Sequence, residues 1–246
     1  MPSRTNTSFN HWNVAFEVEC YGNVNEISRA AFGRALRRIN RQIVIDNDYS
    51  INPPNAASYW TMEFKTKPLK KSEAMQLLKK CFALMSKHGV DTNDSCGLHA
   101  NFSPRSEAAY NKLNPLKAYI DPLWAKIAEA FNREDCDYCY PPDRSSEFFA
   151  FAKKFQNGIT LSPIELMAVC QDISDGLHEL GDTLNLEPAD DAKSTAVNFC
   201  NLTKERTKSS RIEVRAFGGD KYHEKFDLIK GYVEEAITVF DTTSNA

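Results

Sequence analysis

The sequence predicts an α+β protein, and three observations carry that reading. Several short segments alternate apolar and polar residues at period two, which marks half-buried strands; apolar residues between and after them recur at helical spacing. No linker-like tract divides the 246 residues, so the expectation is one domain over 1–246 with a substantial core. A hydrophobic content of 42% and a charged content of 26% belong to a soluble globular chain, and a net charge of −3 gives no footprint for nucleic acid.

The first strand runs from Asn13 to Tyr21, with Val14, Phe16, Val18 and Cys20 on one side and Ala15, Glu17, Glu19 and Tyr21 on the other. A helix follows, carrying Phe32, Leu36, Ile39 and Ile43, before the chain extends through "VIDNDYSI". Residues Tyr59 to Thr66 alternate again, setting Trp60, Met62 and Phe64 against Thr61, Glu63 and Lys65. Ser72 is the expected N-cap of a helix bearing Leu77, Leu78, Cys81, Phe82 and Met85, closed by Gly89. The stretch "CGLHANF" puts His99 and Asn101 on one face and Leu98, Ala100 and Phe102 on the other. Two helices are expected over 115–132 and 162–180, the second opened by "SPIE", a capping serine, proline and a capping-box glutamate, and closed by Gly181. Near the end, "SRIEVRAF" sets Ile212, Val214 and Ala216 against Glu213, Arg215 and Phe217, and a helix with Ile229, Val233, Ala236, Ile237 and Phe240 follows.

Four strands thus present polar faces: Glu17 and Glu19, Glu63, His99 and Asn101, Glu213 and Arg215. Any one of these groups alone reads as a solvent-facing carboxylate, a structural histidine or a surface ion pair. Gathered in one sheet they make a bowl of carboxylates facing an imidazole. Two carboxylates ~6 Å apart repel by roughly 3 kcal/mol at an effective dielectric of ~20, so divalent cations are the natural remedy. Oxygen ligands with one imidazole suit Mg2+ or Mn2+.

These segments resemble the amidoligases of the carboxylate–amine ligase superfamily, which includes glutamine synthetase and glutamate–cysteine ligase. "FEVEC" resembles the family's E-x-E strand, "DYSI" its D-x-S element, "YWTMEFKTKP" its third strand, "CGLHANF" its C-G-x-H-x-H element and "RIEVRAF" its E-x-R strand, in family order over a motif core of about 14–219. The resemblance implies an antiparallel sheet curved into a half-funnel like the glutamine synthetase catalytic domain, with helices on its convex face. It implies ATP-dependent joining of a carboxylate to an amine through an acyl phosphate, with ATP and Mg2+ (or Mn2+) as cofactors.

Carried over residue by residue, the resemblance makes Glu19 and Glu63 ligands of one cation and Glu17, His99 and Glu213 ligands of another. Arg215 would meet the transferring phosphoryl group, and Asp48, Ser50 and Arg133 would lie in the substrate region. The residue types suit phosphoryl transfer, which needs positioning and charge neutralisation more than covalent help. No Walker-type G-x-x-x-x-G-K-[ST] stretch is present, so the nucleotide is expected to be held otherwise. The chain departs from the family pattern at Asn101, where the second histidine would stand, at Phe16, and at Lys65 and Lys67 around Thr66. Asn101 is therefore expected on a nucleotide phosphate and not on a metal. The rival readings are a ligase-fold binding protein with a silent site, and a two-metal hydrolase or nuclease.

Three features lie outside this pattern. Arg34, Arg37, Arg38 and Arg41 recur at i, i+3, i+4 and i+7, a stripe that reads as a solvated helix face, with nucleic acid or another phosphate-bearing partner as the lesser alternative. Seven cysteines, an odd number, suggest reduced thiols; "CDYC" at 136–139 lacks the second pair of a zinc site and reads as two ordinary thiols near a loop. The segment "MPSRTNTSFNHW" has no signal-like apolar stretch, and no apolar run is long enough to cross a bilayer, so the expected location is cytoplasmic, away from membranes.

Overall fold

The computed structural model describes residues 11–113, 118, 121–136, 139, 195–198, 201 and 206–242. The helix expected over 162–180 and the first residues of the one expected over 115–132 lie outside them. Eight described strands form one open, antiparallel sheet: β1 (Trp12–Asn23), β2 (Val44–Asp46), β3 (Tyr59–Lys65), β4 (Leu69–Lys70), β5 (Val90–Asp91), β6 (Gly97–Pro104), β7 (Val197–Asn198) and β8 (Ile212–Gly218). The order is β2-β3-β1-β6-β8-β7, with the short β4 and β5 completing the two ends of β1. The described helices are α1 (Arg29–Ile39), α2 (Lys71–Lys87), α3 (Glu107–Lys112), α4 (Leu123–Ala130) and α5 (Phe226–Thr242).

β1 is the centre of this arrangement because one of its faces is wholly apolar. Val14, Phe16, Val18 and Cys20 are inaccessible, as are Met62 and Phe64 of β3 and Leu98, Ala100 and Phe102 of β6. α2 packs on β1, α1 packs on α2 and β3, and α4 packs on β8 and α5. The ring of Phe240 in α5 meets Trp12, Phe102 and Trp124 at centroid separations of 5.3, 5.2 and 5.8 Å. Truncating such a fully buried ring to alanine costs about 3–5 kcal/mol. Polar residues are left for the other face of the sheet, which is where the site lies.

Three local expectations change. α1 ends at Ile39: Asn40 turns extended, its side chain accepts from the N–H of Gln42, and Ile43 is buried beyond the helix. Ser72 does not cap α2, because β4 pairs Lys70 with Asn13 and runs straight into the helix at Lys71. Lys70 therefore takes the cap position, with no side-chain bond to the helix.

The third change is in β8. Leu98 lies opposite Phe217 while Ala100 lies opposite Val214, two steps on β6 against three on β8. The extra residue is a β-bulge opposite His99, and it reverses the alternation of β8. Phe217 is thereby turned to the side of Leu98, fully buried and edge-on to Phe131, instead of sharing a face with Glu213 and Arg215.

Candidate functional site

Register brings the polar groups together. Glu17 of β1 lies between Lys65 of β3 and His99 of β6, Glu19 lies opposite Glu63, Asp46 of β2 lies beyond Glu63, and Asn101 of β6 pairs with Glu213 of β8. Antiparallel partners point the same way, so these side chains share one face. Ligand atoms of Glu17, Glu63 and His99 lie within 4.8 Å of one another, and so do those of Glu19, Asp48 and Glu63. Glu63 belongs to both trios.

Each carboxylate is fixed by a neighbour. The N–H of Gly97 donates to Glu19 Oε2 at 2.6 Å, and Glu19 Oε1 is 3.8 Å from His99 Nε2. Glycine at 97 leaves room for this pair, since a Cβ there would stand 2.8 Å from His99 Nε2 and 3.3 Å from both Glu19 oxygens and would push those side chains aside. Tyr222 reaches beneath, donating its buried hydroxyl to the carbonyls of Glu19 and Gly97. Asp48 is positioned by an Asx-type turn in which the N–H and hydroxyl of Ser50 both donate to Asp48 Oδ1, while Thr61 Oγ1 donates to the Asp48 carbonyl.

Glu213 stands behind His99 and outside both trios. His99 Nδ1 is 3.3 Å from Glu213 Oε1, Arg215 Nη1 is 3.4 Å from the same oxygen, and Asn198 Nδ2 donates to Oε2 at 3.1 Å. Burial alone would raise this carboxyl, but His99 and Arg215 outweigh it and hold Glu213 down to about 2. A carboxylate on one imidazole nitrogen fixes the ring and leaves the other nitrogen as an acceptor.

Lys65 enters the bowl itself. Its Nζ lies 2.8 Å from Glu63, 3.5 Å from Glu17 and 3.6 Å from Asp46. Burial opposes the ammonium, yet the Glu63 hydrogen bond and the three carboxylates raise Lys65 above its ordinary range. Glu63 is nevertheless raised too, first by burial and then by Glu17, against the lowering by Lys65. Three carboxylates surround this one ammonium, so Lys65 does not neutralise the cluster.

Asn101 is engaged at both ends. Its Nδ2 donates to Glu17 Oε1 at 3.0 Å and its Oδ1 accepts from Arg211 Nε at 3.0 Å, so within the protein it orients Glu17. Arg133, expected in the substrate region, is buried: its guanidinium donates to the Cys96 carbonyl and to the sulfurs of Cys136 and Cys139. Ser50 is exposed beside Asp48. Arg34, Arg37 and Arg38 are exposed on α1, and Arg41 is exposed just past its end.

Sequence reasoning did not assign site roles to Lys65, Asp46, Asn198, Arg211 or Tyr222. Lys65 shares the alternation phase of Glu63, and that signal alone could have found it. The sequence matches no protein-family model and no curated protein. Among the described residues, no helix is long and apolar enough to cross a membrane.

Proposed function

We propose that the polar face of the sheet is the phosphoryl-transfer site of an ATP- and Mg2+-dependent carboxylate–amine ligase of the amidoligase type, with a glutamine synthetase-like half-funnel sheet. The observation that carries this reading is the convergence of Glu17, Glu19, Glu63, His99, Glu213 and Arg215 on one sheet face from four strands. The donor set fits a hard divalent cation: carboxylate oxygens with one imidazole, and negative charge in excess of the Lys65 ammonium. Glu19, Asp48 and Glu63 would hold one ion and Glu17, Glu63 and His99 another, supplying charge neutralisation for the phosphate oxygens.

The chain's own residues then have distinct tasks. Glu213 holds His99 and Arg215 in place; Arg215 offers its fork to the equatorial oxygens of the transferring phosphoryl group. Asn101 and Gly97 fix the carboxylates of Glu17 and Glu19. ATP would supply the phosphoryl group: a substrate carboxylate would take the γ-phosphoryl with release of ADP, and the amine would then displace phosphate from the acyl carbon and lose a proton to solvent.

The test intercepts the acyl phosphate with hydroxylamine. A screen of carboxylic acids with ATP, Mg2+ and hydroxylamine should yield a hydroxamate with stoichiometric ADP, and Glu63→Gln and Glu213→Gln should abolish both. ATP-independent cleavage of a substrate, dependent on Glu63 and His99, would replace the ligase by a hydrolase. A second reading, a silent ligase-fold binding protein, is favoured by one observation, the Lys65 ammonium spanning Glu17, Glu63 and Asp46 where a cation would sit.

A further inference from the structure

The Cys136 and Cys139 pair is more organised than its sequence suggests. Arg133 Nε donates to Cys139 Sγ at 2.9 Å and Nη2 donates to Cys136 Sγ at 3.3 Å. These nitrogens form one edge of the planar guanidinium, so the fork draws both sulfurs to one place. The backbone closes the same turn, with Cys136 N bonded to the Arg133 carbonyl and Cys139 N to the Cys136 carbonyl. Cys136 is half-buried and Cys139 is fully buried. By contrast Cys20, Cys81 and Cys96 lie fully buried in the apolar core.

This asymmetry suits stepwise thiol oxidation. The thiol of Cys139 is held up, first by its hydrogen bond with Cys136 and then by burial, whereas Cys136 is the more accessible sulfur and lies against the guanidinium Nη2. An accessible attacking thiol followed by a buried resolving thiol is the order that C-x-x-C chemistry needs.

We propose that Cys136 and Cys139 are a reversible oxidation site for hydroperoxides, closing to a disulfide and loosening the grip of Arg133. The Cys136 thiolate attacks the distal peroxide oxygen; the O–O bond breaks, the remaining oxygen leaves as alcohol or water with a proton, and Cys136 becomes a sulfenic acid. Cys139 then attacks that sulfur, forming the S–S bond and releasing water. Two electrons pass from the sulfurs to the peroxide, and a dithiol reverses the change.

The consequence reaches the carboxylate bowl. Arg133 Nη1 also donates to the Cys96 carbonyl at 2.9 Å, next to Gly97, whose N–H holds Glu19. Gly218, at φ +139, keeps this path open, since a Cβ there would stand 2.5 Å from Arg133 Nη1 and 2.6 Å from the Cys96 oxygen. A disulfide takes both thiol acceptors from the fork, and loss of such outer support weakens metal binding about tenfold or more. This coupling rests on the metal reading of the bowl; the oxidation site does not.

The experiment treats the full chain with hydrogen peroxide, then measures linkage by peptide mass spectrometry and Mn2+ affinity by calorimetry. Expected are a Cys136–Cys139 linkage removed by dithiothreitol, Mn2+ binding about tenfold weaker while it lasts, and dimedone labelling of Cys136 in Cys139→Ser. Cys136→Ser should show the same Mn2+ affinity before and after peroxide. Linkage to any other cysteine, or no oxidation at a dose that fully converts glutathione, overturns the site. Linkage with unchanged Mn2+ affinity overturns the coupling. If the reduced protein binds no Mn2+, the metal reading fails while the linkage result still decides the oxidation site.

Discussion

Lys65 Nζ lies 2.8 Å from Glu63 Oε2 on the same strand, so the sheet carries its own cation inside the carboxylate bowl. Residues two apart on a strand share a face, which puts the long Lys65 side chain within reach of Glu63. Lys65→Met should therefore expose the repulsion that the ammonium relieves. In chelator, urea unfolding should show a loss of roughly 1 kcal/mol, a modest figure because Lys65 is partly open to solvent and screened. Removal of the competing charge should tighten Mn2+ binding about tenfold in calorimetric titration. Unchanged affinity would mean that Lys65 does not compete with a cation.

Arg215 shares Glu213 Oε1 with His99, at 3.4 and 3.3 Å respectively. In the ligase reading, Arg215→Lys keeps the charge and loses the bidentate fork. Hydroxamate formation should fall about a hundredfold while ATP affinity changes less than about threefold. A parallel fall in both would make Arg215 a ground-state contact.

Asn101 ties Glu17 to Arg211. Asn101→Leu removes a donor from one and an acceptor from the other, in a place that is almost fully buried. The expected loss is about 1–3 kcal/mol by urea unfolding. Mn2+ binding should weaken about tenfold, because Glu17 loses the group that orients it. Intact metal binding would return Asn101 to the nucleotide contact expected from the sequence.

Acid stability provides a further check. His99 and Arg215 hold Glu213 down to about 2, so its contribution is fully present above the ordinary carboxylate range and is lost as pH falls through that range toward about 2. Denaturant unfolding between pH 6 and pH 2 should show a steeper decline for the wild type than for Glu213→Gln. The variant will start lower, since His99 and Arg215 lose a partner, and the slope is what discriminates. Equal slopes would show that Glu213 titrates normally in the folded protein.

Buried His223 adds a signal at milder pH. Burial lowers its pKa despite Asp91 at 3.9 Å, so the neutral ring is favoured in the fold and stability declines as pH drops below the ordinary histidine value. His223→Gln should flatten the unfolding free energy between pH 7 and pH 5. A variant as pH-sensitive as the wild type would exclude His223 as the source.

The sequence by itself determined the strands carrying Glu17, Glu19, Glu63, His99 and Asn101, and which side of each strand is polar. Period-two alternation is local, so an apolar face at Val14, Phe16 and Val18 dictates where Glu17 and Glu19 point whatever the strand pairs with. The mixture of strands and helices was legible for the same reason, the antiparallel pairing was expected only from the family resemblance, and Ser72 misled because the strand pairing of Lys70 outranked a capping preference. Only the tertiary structure decided which groups meet. β1 lies between β3 and β6, far along the chain, and backbone hydrogen bonds that hold any register equally leave no local trace of the one adopted. The bulge that turns Phe217 inward, the loop that brings Asp48 to Glu19, the reach of Asn198 to Glu213 and the hold of Arg133 on the Cys96 carbonyl all depend on contacts between segments apart in the chain. Their energies come from packing and charge in the assembled sheet, which residue spacing along one strand does not encode.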